Sequence, residues 1–413
     1  MYQIDWIRRK DKMRIVYITA QAPYGRGETF INEEMLAIKD KAELSIFPRN
    51  PTKEIFHKDA KDLADNVIWL PLINLKMLLY LLLFLIKNPK TRRIIGSIFK
   101  NSRNSKTLFK NLFVLPKSVY ISKIVSKMKI DHIHAHWGST TSTMGYIVSQ
   151  LTGISWSFTL HRWDISENNM LKEKARTAKF IRIISKDGYN EVLEIVENEY
   201  KNKCFILHVG IDIKKLTKNR EKTDKRDKDI FIVVTPANLV EKKGHKYLIK
   251  AIEILTQKGY NIKCYLFGDG PLREELEKSV SDMNLEKVII LAGAIPHDRL
   301  LELYVKNEVD CVVLPSVITD EGEREGIPVS LMEAMAFKIP VVSTNTGGIP
   351  ELLDNDAGII VEQKNPYKLA EAIETLIKDE ELRRKLGESG YRKVMEEFSL
   401  PNIVARLLNL MGE

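Results

Sequence analysis

Two glutamates eight residues apart, Glu325 and Glu333, lie in the stretch of this chain richest in potential chemistry, residues 314–352 (LPSVITDEGEREGIPVSLMEAMAFKIPVVSTNTGGIPEL). A buried strand is expected to end at Pro315, followed by a polar, acidic loop. Glu325-Gly326-Ile327-Pro328 then leads into a helix predicted over 329–337. Loops at the carboxyl ends of strands carry the ligand sites of open α/β sheets. Gly326 lets backbone approach a ligand, and Pro328 is placed for the first helical turn, where its missing N–H costs nothing. The free N–H groups of that turn and the positive end of the helix suit an anion such as a diphosphate. Glu333 falls about one turn inside the helix and Glu325 on the loop before it. Both can therefore face one bound ligand, one near a sugar and the other near a ribose. A second glycine-rich turn into a helix, Thr346-Gly347-Gly348-Ile349-Pro350-Glu351, stands beside them.

Other polar clusters have plainer readings beside the sharp ones. His132, His134 and His136 alternate along one predicted strand and share a face. A metal site would need three or four ligands with suitable reach; the plainer reading is a strand whose end, His136-Trp137-Gly138, lines a cleft. Asp320-Glu321-Gly322-Glu323 reads as a solvated loop rather than a metal motif. Arg162 and Asp164, next to His161, either touch a substrate or form a local salt bridge. Cys204, Cys264 and Cys311 sit in apolar, strand-like runs with no CxxC spacing, as buried thiols of a reducing compartment would.

The elements that must position these residues follow from periodicity. Strands are expected over 13–20, 44–48, 132–136, 156–161, 181–185 and 204–209, then over 230–236, 263–268, 288–293, 311–315, 341–344 and 358–361, with helical spacing between them. Such alternation of short buried strands and helices argues for parallel α/β sheets. At 413 residues the chain suits two domains. A break at 214–229 (KKLTKNREKTDKRDKD) has Leu216 as its one apolar residue and reads as a linker that buries nothing. The expected organisation is a first α/β domain over 1–213, the linker, a second over 230–398, and a last helix over 399–413 returning to the first.

Charge is uneven. Residues 66–130 hold thirteen Lys or Arg and no Asp or Glu, so this window carries +13 while the whole chain carries +9. A concentrated basic region calls for an anionic partner. Within it, residues 77–86 (MLLYLLLFLI) are continuously apolar, too few for a membrane span of about twenty. Two readings stand: a buried helix of the first domain, or an insertion over about 70–130 whose interfacial helices dip into a bilayer while its lysines meet anionic lipid. No nucleic-acid-binding motif is visible, so no nucleic acid partner is expected. The first twelve residues (MYQIDWIRRKDK) do not read as a signal peptide. The expectation is a cytoplasmic protein, peripheral on the inner face of the cell membrane.

The Glu-x7-Glu pattern in EGIPVSLMEAMA, followed by PVVSTNTGGIPEL, resembles family 4 of the retaining GT-B glycosyltransferases. Within it the chain looks most like bacterial exopolysaccharide and colanic-acid-type transferases. LVEKKGHKYLIKA (239–251), YLFGDGPLREELE (265–277), SFTLHRWDI (157–165) and ETFINEE (28–34) match that family in order and spacing. The resemblance implies two Rossmann-like domains facing an interdomain cleft, the first for the acceptor and the second for the donor nucleotide. It implies that Glu333 holds the donor ribose, and that Glu325 with the backbone of Gly326, Ile327, Pro328 and Ser330 holds the donor sugar. Lys243 would neutralise the diphosphate leaving group, and His161 would sit near the sugar. The loop Gly25-Arg26-Gly27 would approach donor phosphate and acceptor. No cofactor and no metal are implied; the donor would be a nucleoside diphosphate sugar, UDP- or GDP-linked, and the acceptor a glycan or polyprenyl-linked glycan. One position departs from the pattern: Asn238 stands where the family usually has an arginine, and it brings hydrogen bonds to the donor but no charge. Lys242, Arg324 and Arg26 are then candidate extra cations. The alternative function is a catalytically weak or non-catalytic sugar-nucleotide-binding GT-B protein.

Overall fold

The twelve apolar runs become twelve strands, six to a sheet; the central ones are buried on both faces, while outer strands such as Ile359–Val361 are only partly buried. The computed structural model describes residues 12–25, 28–52, 54–55, 57, 59–197, 199–218 and 229–413. The chain divides into one unit of Met1–Gly210 with Leu400–Glu413, and a second of Ile211–Ser399.

In the first unit β1 (Arg14–Thr19), β2 (Glu43–Pro48), β3 (His132–His136), β4 (Trp156–Leu160), β5 (Phe180–Ile183) and β6 (Cys204–Ile206) form an all-parallel sheet in the order β2-β1-β3-β4-β5-β6. In the second, β7 (Phe231–Pro236), β8 (Ile262–Phe267), β9 (Ile289–Gly293), β10 (Cys311–Leu314), β11 (Val341–Thr344) and β12 (Ile359–Val361) run parallel in the order β12-β11-β10-β7-β8-β9. Both sheets are doubly wound, the Rossmann-like architecture expected. Each has a point where the strand order reverses, between β1 and β3 and between β7 and β10. Ligands of such sheets bind in the crevice at the carboxyl ends beside that point.

Helices cover both faces of each sheet. In the first unit α1 (Thr29–Lys39) packs with the last helix, Leu400–Gly412, through Ile31, Met35 and Ile38 against Leu400, Val404 and Leu407. The other face carries α2 (Leu75–Lys87), α3 (Pro89–Asn101), α4 (Ser105–Val125) and α5 (Thr140–Thr152). The three cysteines are free and buried.

Three expectations change. The linker does not bury nothing: the helix Ile213–Thr217 runs into it, and Leu216 packs against the second unit's core. Residues 219–228 lie outside the described residues. The apolar run 77–86 is not a buried helix. Met77 is the buried residue of α2, while Leu75, Leu79, Leu82 and Ile86 are 71, 57, 56 and 78 % exposed. Finally, Lys117, one of the thirteen cations, faces no solvent. Its Nζ donates to the carbonyls of Pro48 (2.7 Å), Arg49 (2.9 Å) and Leu70 (2.7 Å), which fills all three ammonium N–H groups. Burial first and Arg49 second pull its pKa down to about 7.

Candidate active site

In the second unit the site grows from the end of β7. Ala237 and Leu239 donate backbone N–H groups to Phe267 and Asp269, laying Asn238 over the Gly268-Asp269-Gly270 turn with its side chain exposed. A single 3-10 turn, Glu241–Lys243, follows. Gly244 then takes a positive φ of 67°, and a Cβ there would overlap the carbonyl oxygen of Pro315. Only glycine lets the turn press so closely on the end of β10. Val317 N–H donates to Lys242 O at 2.8 Å and locks the two loops together.

That lock brings Lys243 to Glu325. Lys243 Nζ stands 3.0 Å from Glu325 Oε2, although 82 residues separate them in sequence. Glu325 is 8 % exposed, and its Oε1 is buried with no hydrogen-bond partner among the described residues. An unpaired buried carboxylate oxygen is costly unless a ligand completes it. Among the described residues, Ser316 Oγ and both ring nitrogens of His245 are likewise buried without a hydrogen-bond partner. Burial, then the Lys243 ammonium, pulls His245 down to about 4, so it stays neutral beside that charge at pH 7.

The loop carrying Glu325 is held by the second glycine-rich turn. Gly348 N–H donates to Gly326 O at 3.2 Å. Gly347 has φ 53°, and a Cβ there would overlap Glu325 O. Gly347→Ala is therefore expected to displace the Glu325–Ile327 segment, destabilising the unit by about 1–3 kcal/mol and weakening ligand binding. Unchanged thermal unfolding and unchanged ligand affinity together would contradict this. The helix Val329–Ala336 follows, with Pro328 at the N-cap rather than inside the first turn as expected. Its first-turn N–H groups, Ser330 among them, have no intrahelical acceptor. Glu333, in the second turn, is met by a residue that sequence reasoning missed: His297 Nε2 lies 2.8 Å from Glu333 Oε1. The acidic stretch 320–323 is solvated, with the Asp320 side chain 93 % exposed.

In the first unit the candidate residues also follow strand ends. Gly25 comes after β1, His136 ends β3 with Trp137 following, and His161 comes after β4. Arg26 and Gly27 lie outside the described residues. The loop after β1 is tied by Glu28, whose Oε2 accepts the N–H groups of Gln21 (2.9 Å) and Ala22 (2.5 Å) and whose Oε1 accepts Trp137 Nε1–H at 2.6 Å. Arg162 turns to Glu191 (2.5 Å) and Asp187 (3.4 Å), the local salt bridge of the two readings. Asp164 accepts the His161 backbone N–H at 3.0 Å, and burial pushes its pKa up to about 6.

His161 ends a buried chain of hydrogen bonds. Arg182 Nη1 donates to Glu34 Oε2 at 2.5 Å, and Tyr17 Oη contacts Glu34 Oε1. Tyr17 Oη lies 3.0 Å from His136 Nδ1, and His136 Nε2 lies 2.9 Å from His161 Nε2. Burial raises the Glu34 pKa, but Arg182, His136 and Tyr17 together override it and hold the carboxyl well below its usual range. An ionised Glu34 only accepts, so Tyr17 donates to it and in turn accepts from His136 Nδ1–H. His136 Nε2 is then bare, and His161 must carry its proton on Nε2. The network thereby assigns a single tautomer to His161, with the lone pair on Nδ1. Burial foremost keeps His161 neutral, with its pKa held well below the usual histidine range. The Trp137 ring, 4.4 Å away centroid to centroid, fixes the imidazole plane.

His132 and His134 bond to Ser157 and Thr159 of β4 at 2.7–2.9 Å, which accounts for the alternating histidines. Among the described residues no group of three or more His, Cys, Asp or Glu is placed to hold a metal ion.

Two Rossmann-like units with candidate ligand groups at their switch points define a GT-B fold. The sequence model of the family "Glycosyl transferases group 1" matches residues 216–393, which fall within the second unit. Over 220 residues the chain is 32 % identical to the amylovoran biosynthesis glycosyltransferase AmsK of Erwinia amylovora, covering 51 % of this chain and 52 % of AmsK. It is 30 % identical over 213 residues to the putative colanic acid biosynthesis glycosyltransferase WcaL of Escherichia coli, with 51 % of each covered. The matched region thus spans about half the length of these relatives. By fold, the chain is similar to Anabaena HepE, crystallised in complex with UDP, at a TM-score of 0.69 and 16 % identity, covering 97 % of this chain and 100 % of HepE. It is also similar to the sucrose-phosphate synthase of Thermosynechococcus elongatus, at 0.65 and 16 %, covering 96 and 98 %.

Proposed function

We propose that the chain is a retaining, metal-independent glycosyltransferase. In this reading it moves a hexosyl group from a nucleoside diphosphate sugar, UDP- or GDP-linked, to a glycan or polyprenyl-linked glycan acceptor of surface-polysaccharide biosynthesis. It works in the cytoplasm at an anionic membrane surface. The observation that carries this reading is the Lys243–Glu325 pair at the switch point of the second sheet, with Glu325 Oε1 left unpartnered. A cation beside a carboxylate with spare acceptor capacity suits a ligand that is anionic at one end and hydroxylated at the other. The names of AmsK and WcaL, and the UDP and UDP-glucose held by HepE, support the same reading.

The roles follow. Lys243 takes the diphosphate as negative charge builds on it. Glu325 and the backbone of Gly326–Ser330 take the sugar hydroxyls. Glu333, kept in place by His297, takes the ribose. His161, of the first unit, offers a hydrogen-bond acceptor at Nδ1. Glycosyl transfer passes through an oxocarbenium-like state, so stabilising the leaving group is the main service these residues can give. Retention would come from front-face attack, with the departing phosphate taking the acceptor proton. The two glutamates act as ligand holders rather than as a hydrolase pair.

The test is a binding and slow-hydrolysis screen of wild type and Glu333→Ala against UDP-, GDP-, ADP- and TDP-sugars. One donor should bind and turn over in wild type, and the variant should lose it by at least about tenfold, the worth of a charge-assisted hydrogen bond. Binding without turnover would favour the non-catalytic alternative, which the uncharged Asn238 also favours. No binding to any nucleotide sugar, in wild type or Asn238→Arg, would sink the proposal.

A further inference from the structure

The helical layer α2–α4 of the first unit presents two features together. One is an apolar face: Leu75, Leu78, Leu79, Leu82, Leu83 and Ile86 recur at helical spacing along α2 and are all exposed. Phe99 of α3 and Phe109 and Phe113 of α4 are exposed as well. The other is charge. With Lys117 buried, twelve cations of the window 66–130 remain, eleven of them exposed, and no carboxylate lies among them in sequence. Exposed apolar patches of this kind mark interaction surfaces.

A cavity of about 660 Å³ opens at the start of α3, lined by Lys90, Arg93, Arg176, Lys179, Tyr146 and Trp156 among others. It lies at the amino-terminal edge of β4 and β5, the edge opposite to His136 and His161, so it is separate from the candidate site. Lys90 comes four residues after Ile86, which joins the cavity to the end of the apolar face. Its one acidic lining residue, Glu173, is already paired with Arg176 at 2.8 Å. Trp156, 1 % exposed, has an indole N–H with no partner among the described residues.

We propose that this layer is a docking surface for an anionic phospholipid bilayer. The α2 face and the three phenylalanines enter the interfacial region, and the cavity receives a lipid phosphate. This deepens the membrane partner named above and rests on it. Charge selects the occupant. A second copy laid symmetrically on this face would set its cations against like cations, and a polyanion without an apolar side would leave the leucines wet. Apolar area plus attraction to anionic lipid is the signature of interfacial binding. Among the described residues no helix is long and apolar enough to cross a membrane.

The experiment is sedimentation of the full chain with vesicles of phosphatidylcholine alone, or with phosphatidylglycerol added. Wild type should bind the anionic vesicles at least about tenfold more tightly, with salt weakening the binding. Leu79→Ser/Leu82→Ser, at exposed positions, should keep its melting temperature and lose at least about tenfold. Lys90→Glu/Arg93→Glu should lose a similar factor. Both variants should bind the donor sugar as wild type does, which separates this proposal from the proposed function. Equal binding to both vesicle types, or unchanged binding by the leucine variant, overturns it. So does micromolar dimerisation of wild type that Leu79→Ser/Leu82→Ser abolishes, since a second copy then covers the face. If glycerol phosphate in solution protects wild type against heating as well as vesicles do, the cavity is a soluble-anion site and the lipid assignment falls.

Discussion

Lys243→Ala is expected to lower turnover of the donor sugar by about 10²–10³-fold, the range seen when one charge-stabilising donor is removed from an active site. The argument rests on position and on isolation. Lys243 is held by the glycine-dependent turn against β10, and its Nζ already meets Glu325 at 3.0 Å. Where an arginine would add a second fixed charge, the chain has Asn238, so in the proposed reaction more of the leaving-group charge would fall on this ammonium. The loss should appear mainly in kcat, because diphosphate charge grows in the transition state. Ground-state affinity should change less. Lys243→Arg keeps the charge but replaces a compact ammonium by a planar fork, and should recover only part of the rate. Steady-state kinetics on the donor identified by the screen decide the matter. A fall of less than about tenfold would place the leaving-group charge elsewhere.

The second large effect concerns stability. Arg182→Met should cost about 3–5 kcal/mol, because it leaves the Glu34 carboxylate buried without its cation. Arg182 is fully buried, and besides Glu34 it donates to the carbonyls of Leu207 (2.8 Å) and His208 (2.5 Å). The pH dependence has a definite sign. Glu34 has a folded pKa below its unfolded value of about 4.3, so the folded state binds fewer protons there. The stability it contributes is present above that value and is lost as pH falls through the folded pKa. In Arg182→Met the carboxyl no longer has this advantage. The gap between wild type and variant should therefore be widest near neutral pH and narrow as the solution is acidified below about 4.3. Chemical denaturation at several pH values measures it; a gap constant with pH would mean that packing rather than charge makes the difference.

The same pair shows where sequence reading stops. The strands were legible because runs such as FIVVTP and CVVL are buried on both sides and leave no other reading. The turn from loop 325–328 into its helix was legible because glycine and proline stand at fixed offsets, whereas Lys243 was singled out by the family resemblance alone. Glu34 and Arg182 lie 148 residues apart, one on a helix and the other in a buried strand, and nothing local marks them as partners. Glu28 and His297 escaped for a similar reason: their partners come from distant strand ends and loops. The run 77–86 failed in the opposite way. Ten apolar residues in succession have no periodicity, so the sequence cannot say which face turns inward. Only the packing of Met77, Tyr80, Leu81 and Phe84 against the first unit's core fixes that.

Lys117 carries one more consequence. Its ammonium gathers three carbonyls from two separate segments, the end of β2 and the stretch leading to α2, onto the middle of α4. Within one stretch of sequence, then, basic residues serve opposite ends: twelve lysines and arginines whose number can be tuned, and one lysine that works as a rivet. Charge-neutralising libraries across 66–130 should keep the fold through broad change at the twelve and through almost none at the rivet, where even arginine brings a flat fork to a site shaped for a tetrahedral head. Changing the charge of this surface would therefore cost membrane docking before it cost the scaffold beneath.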